Sequence, residues 1–187
     1  MSTLNVEGFS LSHAAILDGT DGSEEVGGDL YGIRSGSLEV DMDTFDNTGD
    51  DAVLSQWIWF NYATVSVEMG YIPLEMVSLV TGEAITSSGV SPADYFDISL
   101  WTDSSLNQPT RPMKLTVPSK DSAGAIRLLT FLLYKCQFHP LGFDGPNYKD
   151  GLMMSYSATA LISTTDEAGV DISSNRAIGR LVSGPVA

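Results

Sequence analysis

The sequence predicts a mainly β fold, an antiparallel β-sandwich or barrel with one short flanking α-helix. Three observations carry this. Apolar and polar side chains alternate over several segments. Clusters of Gly, Asn, Asp and Pro separate those segments. Only one short segment has the start and stop signals of a helix. The chain has 187 residues, 43% of them apolar. That length suits a single domain, residues 1–187, which can bury roughly 70% of its extended surface.

The elements follow in order. Residues from about 18 to 29 form a polar, acidic, glycine-rich loop expected to be flexible. Ser37 to Phe45 is a strand. Leu38, Val40 and Met42 point one way and Glu39, Asp41 and Asp43 the other, so three carboxylates share a sheet face. Asp46 to Asp51 reads as a turn. Val53 to Phe60 is apolar enough for a strand, and Asn61 breaks it. Tyr62 to Met69 alternates again, with Thr64, Ser66 and Glu68 on its polar side.

Leu74 to Thr81 reads as a helix. Pro73 suits its first turn, Glu75 complements the positive dipole end, and Gly82 caps its C-terminus. Glu83 to Ala93 is a loop. Asp94 to Thr102 and Met113 to Val117 read as strands. Ile126 to Phe138 fits either a buried helix behind Ser119 or Ser122, or a long strand ended by His139-Pro140. Its β-branched and aromatic residues favour the strand, but periodicity alone does not decide. Phe143 to Gly151 is a turn-rich loop. Leu152 to Ser163 is a strand with Met154, Tyr156, Ala158 and Ala160 on one face. The C-terminal tail, from about 164 to 187, is expected to be flexible. The count is about seven strands and one helix, and the exposed edges of such sheets favour pairing with another copy.

Charge is unevenly placed. The chain carries 24 acidic and 9 basic residues, a net −15. Residues 1–110 hold 18 acids and one base, Arg34; residues 111–187 hold 6 acids and 8 bases. This excludes a basic nucleic-acid-gripping protein. It leaves open a solvated acidic surface or a self-association in which a basic face of one copy meets an acidic face of another. A lone cysteine, Cys136, excludes a disulfide scaffold. No apolar run is long enough for a membrane span, no secretory signal is visible, and no membrane insertion is expected.

Catalytic and metal patterns are weak. There is no Gly-x-Ser-x-Gly and no phosphate-binding loop. Cys136 lies in an apolar segment and reads as a buried, inert thiol. His13 and His139 are isolated in sequence and give no zinc spacing. Asp41, Asp43, Asp46, Asp50 and Asp51 cluster near a turn. They miss the calcium-loop template, since Phe45 stands at its fifth position and no Gly at its sixth. No catalytic residue, cofactor or metal is assigned.

Three segments together carry a resemblance. They are Gly49-Asp-Asp-Ala-Val-Leu54 with the following Ala-Thr-Val-Ser-Val-Glu strand, then Pro73-Leu-Glu-Met-Val-Ser-Leu-Val-Thr-Gly82, then the strands 127–138 and 150–160 joined through Phe143-Asp-Gly-Pro146. Over most of residues 32–163 the chain resembles the major tail tube proteins of long-tailed, non-contractile bacteriophages. The resemblance implies a non-enzymatic virion subunit, assembled in the host cytoplasm into the viral tail. Six copies would form a ring, and rings would stack into a hollow tube for genome ejection. It implies tape-measure, tail terminator and tail-tip proteins as partners, and double-stranded DNA in transit without specific binding. The lumen-lining candidates are Glu39, Asp41, Asp43, Thr64, Ser66 and Glu68.

Two other classes are kept beside it. One is another virion assembly protein, a capsid decoration protein or an injection-tube subunit. The other is a calcium- or carbohydrate-binding β-sandwich module, resting on Trp57, Trp59, Trp101 and the acidic loops. Buried aromatics are the expected explanation of those tryptophans. The loops 18–29 and 164–176 are expected to order against neighbours on assembly.

Overall fold

The computed structural model describes residues 2–9, 11–30, 33–49, 52–70, 74–88, 95–98, 109–120, 126–139, 142–147 and 151–185. The fold is mainly β, antiparallel, with a single α-helix among the described residues. The strands are β1 (Ser2–Phe9), β2 (His13–Leu17), β3 (Glu24–Asp29), β4 (Ile33–Gly49), β5 (Ala52–Met69), β6 (Thr86–Ser88), β7 (Tyr95–Asp97), β8 (Thr110–Lys120), β9 (Ile126–Phe138), β10 (Gly142–Asn147), β11 (Gly151–Leu161) and β12 (Gly179–Pro185). The helix α1 spans Leu74–Thr81.

One ten-stranded sheet runs β1-β4-β5-β11-β9-β8-β2-β3, with β10 on β11 and β12 on β9; β6 and β7 form a separate pair. The sheet curls on itself. Ala14 and Ile16 of β2 share one core with Leu38 of β4 and Val65 of β5, although β2 and β4 lie far apart along the strand order. Helix α1 adds Met76, Val77 and Val80, a stripe at helical spacing, to that core. Gly82, at φ 75, ends the helix and its N–H donates to the Ser78 carbonyl at 2.8 Å.

The alternation expected from the sequence sets the two faces. Ala63, Val65, Val67 and Met69 are buried, as are Tyr156, Ala158 and Ala160, while Ser66, Glu68 and Ser155 are exposed. Phe138 and Tyr156 pack with ring centroids 5.3 Å apart. Ile126–Phe138 is a strand, not a helix. Cys136 is fully buried, and burial pushes its thiol far up from its ordinary value, leaving no accessible thiolate.

Several expectations are corrected. The expected turn at Asp46 begins too early: β4 continues to Gly49, because Asp46 and Asn47 pair with Gln56 and Ser55. Pairing here overrides turn propensity. The break at Asn61 is a bulge inside one continuous strand. The loop 18–29 ends in strand β3, the loop 83–93 contains β6, and the loop 143–151 contains most of β10. The tail contributes β12, which pairs with β9 from Leu133 to Arg127. Strands β1 and β2 were not anticipated. The expected strand 94–102 is described only at β7 and Ile98. Pro73, Asp50, Asp51 and Trp101 lie outside the described residues, and the side chain of Trp57 does too.

The loops 18–23 and 163–176 hold their own hydrogen bonds. Asp18 Oδ1 accepts from the Thr20 amide at 2.9 Å, and Asp166 Oδ1 accepts from the Ala168 and Val170 amides at 3.0 and 2.9 Å. The two loops also touch. A Cβ built on Gly169 would stand 2.9 Å from the Gly19 carbonyl oxygen, so a glycine is required there, and φ at Gly169 is 76.

Candidate functional site: a polar sheet face

The most extended chemical feature is the outward face of β4, β5, β11 and β9. Directly opposed residues of antiparallel strands share a face. Glu39 opposes Thr64, and Thr64 opposes Thr159, which opposes Gln137. Ser37, Ser66 and Ser157 form the next row, and Ser35, Glu68 and Ser155 the one after. The rows are thus built of hydroxyls, an amide and carboxylates. Ser35 Oγ donates to Glu68 Oε2 at 2.7 Å. His139 Nε2 and Thr159 Oγ1 are 2.7 Å apart.

The six residues singled out from the sequence all fall on β4 and β5. Glu39, Asp43, Ser66 and Glu68 are exposed and Thr64 is half-buried. Asp41 differs, with only 8% of its surface exposed. The bulge explains its company. Asp41 opposes Tyr62 and Met42 opposes Phe60, so Asn61 is the extra residue. Asn61 Nδ2 donates to Asp41 Oδ2 at 3.0 Å and to Asp43 Oδ2 at 2.9 Å. One amide group holds two carboxylates side by side. The bulge also shifts parity. Ile58 and Phe60, rather than Trp59, come to oppose Thr44 and Met42 on the core side. Without the bulge, the parity of Ala63 and Val65 would turn Asn61 inward.

Trp59 corrects another expectation. It is 61% exposed rather than buried, and Ile58 and Phe60 are 54% and 55% exposed. Among the described residues, β11 accompanies β5 only from Met69 to Tyr62, and β1 accompanies β4 only as far as Met42. The rest of the β4–β5 hairpin projects past its neighbours as an arm.

Two ion pairs join β3 to β8, and a third ties β12 to the loop before it. Glu25 pairs with Arg111, and Glu24 Oε1 accepts from Lys114 Nζ at 2.7 Å. Glu167, nearly buried, pairs with Arg180. The opposite charges of the two chain halves therefore meet partly inside the subunit. Sequence spacing had not joined His13 to any acid. The β2–β3–β8 register brings His13 Nε2 to 3.0 Å from Asp29 Oδ1 and His13 Nδ1 to 3.9 Å from Glu24 Oε1. The three side chains stand close enough together to hold a metal ion, and Glu24 is also paired with the Lys114 ammonium.

Two hydroxyls stand against a group able to act as a base, Thr159 Oγ1 at His139 Nε2 and Ser35 Oγ at Glu68 Oε2. Asp41 and Asp43 share one donor, the Asn61 amide. Among the described residues no helix is long and apolar enough to cross a membrane. No family model matches the chain, and no curated protein matches it.

Proposed function

We propose that the chain is a self-assembling structural subunit of a phage tail tube, built from stacked hexameric rings, with no catalytic role. The observation that carries this reading is the polar face. Four adjacent strands present rows of hydroxyl, amide and carboxylate groups on one side while their other side forms the core. Such a sheet is suited to line an aqueous conduit, with Glu39, Asp43, Thr64, Ser66 and Glu68 toward the lumen and Asp41 set beneath them.

The chemistry suits transit of DNA. A basic wall would displace counterions from the duplex and hold it, since even about 6–10 phosphate contacts bind strongly at low salt. A polar wall bearing carboxylates repels phosphates and keeps water and cations between wall and duplex. The projecting hairpin supports assembly, because a two-stranded ribbon alone is marginally stable in water.

The test is electron microscopy of the purified protein over a concentration series. Hollow rings or tubes whose lumen is lined by the β4–β5–β11–β9 face are expected. Tubes with that face outside, or solid aggregates only, overturn the reading. Attachment to capsids as monomers or small clusters would move the protein to the decoration class.

A further inference from the structure

The sheet forks at β9. Near its C-terminal end β9 pairs with β11 through Cys136 to Phe138, and further back it pairs with β12 through Leu133 to Arg127. Both partners lie on the side of β9 away from β8. Strand β11 ends at Leu161, opposite Tyr62. Beyond that point β5 runs on through Phe60 and Ile58, still paired with β4 but with no strand on its β11 side among the described residues. Among the described residues β12 likewise pairs only with β9. Two strand edges therefore flank a gap.

The gap is an apolar groove of about 620 Å³. Ile58 and Phe60 form one wall, Ile178 and Leu181 the other, and Phe131 and Leu133 part of its floor. Leu181 is 57% exposed, like Ile58 and Phe60. The core's apolar layer thus continues past the end of β11 without a cover. Arg176 and Arg180 also line the groove. Arg180 is paired with Glu167, whereas Arg176 has no ion pair among the described residues.

We propose that this gap is filled by a β-strand from a second copy of the chain, which completes the sheet between β5 and β12. Strand edges on both sides call for an occupant with its own backbone donors and acceptors, as in recognition by strand addition. The apolar walls call for alternate apolar side chains on that strand. Arg176 at the rim calls for a carboxylate beside it. A second copy offers both, as an acidic chain of net −15 whose strands alternate apolar and polar residues. A slot is not complementary to itself, so the contact is heterologous and builds rings or open chains rather than two-fold closed dimers. The inference rests on the self-assembly reading and names the surface that would carry it.

The test compares the full chain with Ile58→Asp and Leu181→Asp, with Val170→Asp, 59% exposed elsewhere, as the charge-matched control. Sedimentation velocity over a concentration series reads association, and hydrogen exchange reads the amides of 58–60 and 179–184. The wild type and the control should grow past the dimer, with those amides slowed at least about tenfold. Each groove variant should need at least about tenfold more protein, equivalent to about 1.4 kcal/mol, with its thermal unfolding unchanged. Association indifferent to both groove variants overturns the proposal. So does unchanged exchange in β12, or a persistent monomer that binds an apolar dye in the groove. Hollow tubes that form equally well from both variants refute the slot and leave the tube reading standing. Groove-dependent chains without a hollow centre refute the tube and leave the slot.

Discussion

Asn61 Nδ2 lies 2.9 Å from Asp43 Oδ2, and its other hydrogen reaches Asp41. The pair fixes the bulge, since Asn61 is the residue with no partner on β4. Hydrogen bonds to charged groups contribute more than neutral ones, though exposure of Asp43 weakens its share. Asn61→Ala should cost about 1–2 kcal/mol. Asn61→Asp should cost more, because it places a third carboxylate between two others. Chemical denaturation of the two variants checks the order. Equal stability of wild type and Asn61→Asp would show that the bulge does not depend on this bond.

Tyr156 is fully buried, and its hydroxyl has no hydrogen-bond partner among the described residues. Burial raises its phenol well above the usual range. An unsatisfied buried hydroxyl is unfavourable by about 1–3 kcal/mol. Tyr156→Phe should therefore be neutral or more stable by about 1 kcal/mol, with the tilted ring contact to Phe138 retained. Thermal unfolding reads it directly. A clear loss of stability would mean that the hydroxyl is satisfied after all.

Much of this fold was legible where the information is local. The parity of Leu38, Val40, Val65, Val67 and Ala158 is written in period two, and the helix from Leu74 to Thr81 carries its own glycine stop. The polar rows on β4, β5 and β11 follow from the same parity. What was not legible is pairing between distant segments. His13 to Leu17 is a short run buried almost throughout, so it shows no alternation. Strand β12 contains Gly179 and Gly184 and reads as tail, yet the β9 ladder recruits it. The outward place of Trp59 depends on the bulge at Asn61, which shifts the parity of β5 and which no local pattern states. The fork at β9 and the groove beside it are invisible for the same reason.

Gly179 tests how closely β12 is seated. A Cβ built there would stand 2.2 Å from the Leu132 carbonyl oxygen and 3.1 Å from the Leu133 Cα, both backbone atoms that cannot yield cheaply. Gly184, on the same strand, has nothing within 4 Å. Gly179→Ala should destabilise by about 2–3 kcal/mol and release the start of β12. Gly184→Ala should stay within about 0.5 kcal/mol of wild type. Hydrogen exchange across β9 and β12 distinguishes them, since only the first should expose Leu132 and Leu133. Equal effects would mean that β12 is not held at this distance.

The last prediction concerns acid. Asp21 and Asp171 each close a turn onto the serine two residues on. The Ser23 hydroxyl, then its amide, holds Asp21 below its ordinary value of 3.8; the Ser173 amide, then its hydroxyl, does the same for Asp171. A carboxyl group whose pKa is depressed in the folded state stabilises that state above its unfolded pKa. The contribution disappears as pH falls through the lowered folded value. Both turns should therefore persist at pH 5 and through pH 4, and open only below about 3.8. Amide proton shifts of Ser23 and Ser173 followed by NMR should titrate together with their partner carboxylates, with midpoints under the ordinary Asp value. Asp21→Asn should abolish the Ser23 titration and leave that of Ser173 intact. Midpoints at or above the ordinary value would show that these hydrogen bonds do not hold the turns in solution.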